Sequence, residues 1–108
     1  MRDKNKNLSE FEIGQHAQRR ILFSAGRIVA TTAMASYLCE IGIETNSYLL
    51  RHLQGDWGDI TPEDVIANNL AVQNGSRIFS AYVAMNRRFW IITETDRSAT
   101  TLLFPEEY

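Results

Sequence analysis

The chain has 108 residues, of which 44% are hydrophobic and 22% charged, and its formal net charge is −2. This length allows one domain that buries about two-thirds of its unfolded surface, and the composition is typical of globular proteins. The net charge is too small to favour or exclude a nucleic acid as a partner.

Cys39 is the only cysteine, which excludes an internal disulfide and argues against a structural zinc site. Its apolar neighbours predict a buried, unreactive thiol. The N-terminus lacks the apolar run of a signal peptide, and no stretch of about 18 apolar residues could cross a membrane. We therefore expect a cytoplasmic protein without a membrane segment.

The polar residues 1–20 are predicted to form an extension ahead of a single domain over residues 21–108. The extension is either a mobile tail or a short helix capped by Ser9, with Glu12 completing a capping box. The apolar stretches on either side of Gly26 predict that a first strand enters the domain near this glycine.

Two short helices are predicted next. Thr32 can cap a helix over residues 33–41, where apolar residues recur at helical spacing. A second helix can begin at Thr45 or Asn46 and end at Gln54. Helices this short have little intrinsic stability, so packing must hold them.

The third helix has the most strongly specified start. Thr61 can cap it, and Pro62 suits its first position, where a missing N–H costs nothing. Ile60 can pack against Val65 as a hydrophobic staple, and the helix ends before Gly75. Its predicted apolar face consists of Val65, Ile66, Ala67, Leu70 and Val72.

The last third of the chain predicts three strands. β-Branched and aromatic residues dominate residues 77–84, 89–95 and 100–104 with the alternation of half-buried strands. Asn86 can take the left-handed conformation that a tight hairpin needs, and Asp96 can form a turn by bonding the backbone two residues on. The strands should therefore form an antiparallel meander.

A two-residue loop at the first turn would pair Val83 with Trp90 across the hairpin. Both faces of the resulting sheet would be apolar and would need cover. One face would carry Ile78, Tyr82, Ile91, Leu102 and Phe104, and the other Phe79, Val83, Trp90, Ile92 and Leu103. The predicted fold class is α+β: a three-stranded antiparallel C-terminal meander plus an N-terminal strand, packed with about three short helices.

The candidate binding residues lie in two loops, one after the second helix and one before the last strand. They are Asp56, Trp57, Asp59, Glu94, Asp96 and Arg97. A simpler interpretation of the first loop is that Trp57 folds back into the core while the aspartates form turns. This loop lacks the ligand spacing of a calcium loop, and we predict no catalytic group, metal or cofactor.

Two other functions stay open. Arg87 and Arg88 at the first hairpin tip, beside Trp90, resemble a small basic-aromatic patch for nucleic acid, although arginines there can also protect a strand edge. The second alternative is a metal-dependent nuclease or toxin, for which a surface histidine and separate carboxylates are the commoner outcome. Its candidate groups are His52, Asp56, Glu94 and Asp96.

Several segments resemble a group of small plasmid-related proteins carried on bacterial plasmids and integrative elements. The resemblance covers roughly residues 26–108; it is strongest in WIITETDRSATT, residues 90–101, and in the ending PEEY, residues 105–108. Residues 51–58 and 75–82 carry it less specifically. The resemblance implies a bacterial cytoplasm and a mobile genetic element, and it implies no catalytic activity.

The sequence therefore most favours a non-enzymatic interaction protein of a mobile element, which binds a host or element-encoded protein and could counter a host defence. Residues 55–108 carry 4 basic and 8 acidic residues, so the second half of the chain is mildly acidic and could face a protein partner. A nucleic-acid-binding regulator and a metal-dependent nuclease or toxin are the alternatives. The sequence predicts no oligomeric state.

Overall fold

The computed structural model describes residues 20–108, so the predicted Ser9-capped helix lies outside the described residues. The predicted α+β class is confirmed. The strands are β1 (Arg27–Ala30), β2 (Ile78–Ala84), β3 (Arg87–Thr93) and β4 (Ala99–Leu103). The helices are α1 (Thr32–Ile41), α2 (Thr45–Leu53), α3 (Pro62–Asn74) and a short 3₁₀ helix (Pro105–Glu107).

The four strands form one mixed sheet in the order β1-β4-β3-β2. The last three strands make the predicted antiparallel meander. The N-terminal strand β1 adds to β4 in parallel, with Ile28 opposite Thr100 and Ala30 opposite Leu102. The first and last strands of the described residues are therefore neighbours, and among residues 20–108 β1 and β2 form the edges of the sheet.

The first hairpin has the predicted two-residue loop but not the predicted register. Met85 and Asn86 both have positive φ, 50° and 68°, which is the geometry of a type I′ turn. Val83 pairs with Arg88 rather than with Trp90, so the expected register is wrong by two residues. Because side chains alternate with a period of two, this shift leaves every residue on its predicted face.

The helical face of the sheet holds the larger core. Tyr82, Phe89, Ile91, Leu102 and Phe104 are buried there against Met34 and Leu38 of α1 and Leu49 of α2. On the opposite face Ile92 and Leu103 are buried, whereas Val83 is 50% exposed. Aromatic rings lie across part of that face, with Trp90 packed between Phe79 and Tyr108.

Helix starts follow local capping chemistry. Thr61 accepts a hydrogen bond from the Asp64 N–H, as predicted, and Pro62 takes the first position of α3. In α1 the cap is Thr31, which accepts from the Met34 N–H, and not Thr32. The cap moves by one residue because β1 continues to Ala30 and the helix begins at once after it.

The buried face of α3 differs from the predicted one. Asn68 and Ala71 are buried with Val65 and Val72 half-buried, while Ile66 and Leu70 are 62% and 60% exposed. The helix turns Asn68 inward because its side-chain amide bonds the backbone of β2. A polar contact with the strand thus sets the rotation of α3, and three residues of its predicted apolar face, Ile66, Ala67 and Leu70, are exposed.

Candidate functional site

The β2 edge of the sheet is closed by other parts of the chain. Asn68 donates to the Phe79 carbonyl at 2.6 Å and accepts from the Phe79 N–H at 3.1 Å, as a neighbouring strand would. Two residues on, the Ala81 N–H donates to the Trp57 carbonyl at 3.0 Å, and the Asp59 N–H donates to the Ala81 carbonyl at 2.8 Å. These contacts occupy the backbone groups that would otherwise pair with another strand.

Gly58 allows the loop to approach β2 this closely. Its φ is +78°, and a Cβ at this position would lie 2.0 Å from the Ala81 carbonyl oxygen. Only glycine combines this backbone conformation with room for the contact. One step further along the strand, the Tyr48 hydroxyl donates to the Val83 carbonyl at 3.4 Å. Alternate positions of β2 are therefore covered along its outer side.

The β1 edge has no such cover among the described residues. The N–H groups of Arg27 and Thr31 donate to carbonyls of β4, so these alternate positions face the sheet. The backbone N–H and C=O of Ile28 and the N–H of Ala30 consequently point away from β4, and no other described residue bonds them. The Ile28 side chain is 51% exposed. Among the described residues, β1 therefore has an open edge that can pair with a further strand.

An apolar groove lies beside this open edge, between β1 on one side and α1 and the loop that leads to α2 on the other. It has a volume of about 340 Å³. We call it the edge groove; its lining includes Ile28, Ala30, Leu38, Cys39, Ile43 and Leu102. A strand added to β1 would direct every second side chain to the helical side of the sheet, towards this groove.

Cys39 is exposed on this side of α1, so the expectation of a buried thiol is wrong. The apolar neighbours that suggested burial do not face the same way, because Leu38 is buried while Cys39 follows it by about 100° around the helix. A second depression, lined by Ala35, Ser36, Cys39 and Glu40, shares two residues with the edge groove. The groove therefore continues along the surface of α1.

The proposed nuclease histidine lies in the core, at the centre of a chain of hydrogen bonds. Thr100 donates its only hydroxyl hydrogen to the Ala25 carbonyl at 2.7 Å, so Thr93 must donate to Thr100, also at 2.7 Å. His52 Nε2 must then donate to Thr93 at 2.9 Å. Its Nδ1 is left unprotonated and accepts from Ser80 at 2.6 Å. The chain of donors thus fixes one neutral tautomer of His52.

Burial lowers the pKa of His52 from 6.5 to about 3, because the charged ring would lose its hydration in the core. The expectation of a surface histidine is wrong, and both ring nitrogens are already engaged. Within residues 20–108, no three His, Cys, Asp or Glu side chains are grouped to hold a metal ion. The described helices also include none with the length and apolar character to span a membrane.

The loop after α2 contributes to the fold through each predicted binding residue. Trp57 is 5% exposed and donates its indole N–H to Asn69, so the simpler interpretation of a core tryptophan is confirmed. Its ring is not available as a stacking platform. Asp56 accepts from Arg51 at 2.8 Å, and Asp59 accepts from Arg88 at 2.7 Å.

The turn between β3 and β4 holds the other predicted binding residues. Arg97 donates to the carbonyls of Ala71 and Ser76 at 2.8 and 2.7 Å, which ties the turn to the end of α3. Hydrogen bonds from the Ser98 side chain and backbone lower the pKa of Asp96. Asp96 and Glu94 are exposed at the turn. The structure therefore leaves these two carboxylates, but not Arg97, on an open surface.

The basic-aromatic patch proposed for nucleic acid is compensated in charge. Arg87 pairs with Glu106 at 3.0 Å, with its guanidinium 3.5 Å from the centre of the Phe104 ring. Arg88 pairs with Asp59, and Trp90 is half-buried. Both arginines would have to exchange an existing carboxylate for a phosphate.

Sequence reasoning predicted β1 but not the exposure of its edge. An edge strand is defined by the absence of a neighbour, and pairing between the ends of the chain carries no local signal. The short stretch Arg27–Ala30, with neither proline nor lysine to discourage pairing, was the only available indication.

Comparison of the chain with models of protein families, with curated proteins and with solved structures found no match. The resemblance to plasmid-related proteins therefore stays a prediction. The open edge of β1 and the edge groove beside it are accordingly assigned as the candidate site on their geometry alone.

Proposed function

We propose that this chain is a non-enzymatic interaction protein, which binds a partner protein by pairing one of the partner's extended segments with β1. The observation that carries the proposal is the contrast between the sheet edges. The β2 edge is covered by Asn68 and by the loop around Gly58, whereas the β1 edge is uncovered in the described chain.

Strand addition would use main-chain hydrogen bonds for affinity and side-chain pockets for selectivity. The outward backbone groups of Ile28 and Ala30 offer the hydrogen bonds, and the edge groove offers the pocket. A segment of about four residues would match the length of β1, so the contact would be small and suited to reversible binding.

The resemblance to plasmid-related proteins supports a setting in the cytoplasm of a bacterium that carries a mobile element. The partner is then a host protein or one that the element encodes, and interference with a host defence is one version of this function. The nucleic-acid alternative is less favoured because Arg87 and Arg88 both form ion pairs. The nuclease alternative is less favoured because His52 is sealed in the core.

The test is affinity capture from a bacterial host, with nuclease treatment, using the full chain and two variants of one residue. Ile28→Pro removes the outward N–H and is compatible with an edge strand, whereas Ile28→Thr keeps the N–H and changes only the side chain. Thermal unfolding of each variant shows that it is folded.

We expect a partner that survives nuclease, is retained by Ile28→Thr at least in part, and is lost with Ile28→Pro. Retention of the partner by a folded Ile28→Pro variant would contradict binding at this edge. Capture of nothing that survives nuclease would contradict the interaction function itself.

A further inference from the structure

Acidic residues lie at the border of the edge groove. Glu40 lines the depression that continues the groove along α1, and Glu44 lies between two lining residues, Ile43 and Thr45. Neither carboxylate has an ion pair with any described residue. The lining of the groove and of its continuation contains no basic side chain.

The nearby Arg27 does not neutralise this rim. Side chains alternate along a strand, so Arg27 projects to the face of the sheet opposite Ile28 and Ala30 and therefore away from the groove. Most other arginines in residues 20–108 are engaged elsewhere. Three form ion pairs, Arg97 binds backbone carbonyls, and Arg77 lies over the Tyr108 ring. The edge groove is thus apolar at its centre and acidic at its border.

A second copy of this chain would match such a site poorly. In an antiparallel pairing of two β1 strands, each copy would present Ile28 and Ala30 to the other's groove, and its Arg27 would again lie on the opposite face. The apolar centre would be filled, but Glu40 and Glu44 would meet no positive charge. The occupant should instead carry both kinds of side chain on one face.

We propose that the edge groove selects an extended segment with apolar side chains flanked by lysine or arginine on the same face of the strand. This inference rests on the proposed function, because it assumes pairing with β1. Side chains two residues apart share a face and are spaced by roughly 7 Å, so an apolar side chain can enter the groove while a basic one at either side reaches the acidic border. Opposite charges at the border then contribute more to the specificity of binding than to its affinity.

The test uses three labelled synthetic peptides and the full chain, with binding followed by fluorescence anisotropy. The first peptide is Lys-Thr-Val-Thr-Val-Thr-Lys, in which the lysines and valines share one face whichever way the strand runs. In the other two peptides serine or glutamate replaces both lysines. We expect the lysine peptide to bind about fivefold more tightly than the serine peptide, because it can form two partly exposed ion pairs that the serine peptide lacks. The glutamate peptide should bind most weakly, because its carboxylates are repelled by the acidic border.

Two double variants with equal changes in net charge complete the design. Glu40→Lys with Glu44→Lys should reverse the order of the peptides. Glu63→Lys with Asp64→Lys makes the same change in net charge at the start of α3 and should leave the order unchanged. High salt should reduce the preference for lysine and leave the serine peptide little affected.

The outcomes separate this inference from the proposed function. Equal binding of all three peptides, abolished by Ile28→Pro, would overturn the selectivity and leave strand addition standing. Binding of the lysine peptide that persists in a folded Ile28→Pro variant would overturn strand addition. No binding of any peptide, or a dimer seen by analytical ultracentrifugation that Ile28→Pro dissociates, would overturn the choice of a basic, apolar segment as occupant.

Discussion

The buried His52 makes the stability of the fold sensitive to mild acid. Its pKa is about 3 in the folded chain and 6.5 in the unfolded chain, so the unfolded state binds a proton that the folded state refuses. The stability that depends on neutral His52 is complete above pH 6.5 and is lost as the pH falls towards about 3. The loss is about 1.4 kcal/mol for each pH unit within that window.

Lowering the pH from 7 to 5 should therefore reduce the free energy of unfolding by about 2 kcal/mol through this residue alone. The measurement is urea unfolding, followed by tryptophan fluorescence and circular dichroism, at half-unit steps of pH. The reference is His52→Gln, which has an amide where the wild type has a ring and cannot titrate. His16, Asp96 and Glu106 are present in both proteins, so their contributions cancel in the difference between the two curves.

The wild-type curve should fall more steeply than the variant curve below pH 6.5, and the two should run parallel above it. Parallel curves over the whole range would refute the reasoning. If His52→Gln does not fold, the titration of the wild-type ring by NMR decides the question. A ring that becomes protonated near pH 6 while the protein stays folded would show that the hydrogen-bonded chain does not keep His52 neutral.

The remaining predictions concern the closed edge and the turn that anchors α3, with the free energy of unfolding from urea titrations as the common measurement. Gly58→Ala should lower the free energy of unfolding by about 2 kcal/mol or more, because the new methyl group meets a β2 carbonyl. The control is Gly42→Ala, which has a similar φ but nothing within 4 Å and should lower it by about 1 kcal/mol. Equal losses of stability in the two variants would contradict the close approach of Gly58 to β2. Asn68→Ala should lower the free energy of unfolding by about 2–3 kcal/mol and promote aggregation, because it uncovers the β2 edge. Gln73→Ala, on the exposed side of α3, is the neutral control. A loss of stability no larger than that of the control would show that the Asn68 amide does not hold this edge. Arg97→Met should lower the free energy of unfolding by about 2 kcal/mol, because it removes the hydrogen bonds to two carbonyls that tie the turn to α3. Unchanged amide hydrogen exchange at the end of α3 would contradict this anchoring role of Arg97.

Local chemistry allowed much of the fold to be predicted from the sequence. Thr61 and Pro62 specified the start of α3 because their capping contacts lie within one turn of the chain. The faces of the meander were predicted correctly even though the register was not, since Met85 enters the turn with positive φ and moves the pairing by two residues.

The wrong predictions of side-chain burial share one cause, which is contact between distant parts of the chain. Ile66 and Leu70 were expected inside, yet Asn68 is turned inward because β2 offers it two backbone groups. His52 was expected at the surface, yet Ser80 and Thr93 satisfy both ring nitrogens in the core. Nothing near either residue in the sequence reveals these partners.

The candidate site likewise combines features that local sequence predicts with features that only tertiary contacts decide. The sequence by itself determined that a strand forms near Gly26, that helices follow it, and that no motif for catalysis is present. Only the tertiary structure decided that β1 joins β4 in parallel and that β2 is covered, while within residues 20–108 the other edge of β1 lies open beside an apolar groove. Periodicity and capping act over a few residues and can be read locally, whereas an open edge depends on which distant segments reach each strand.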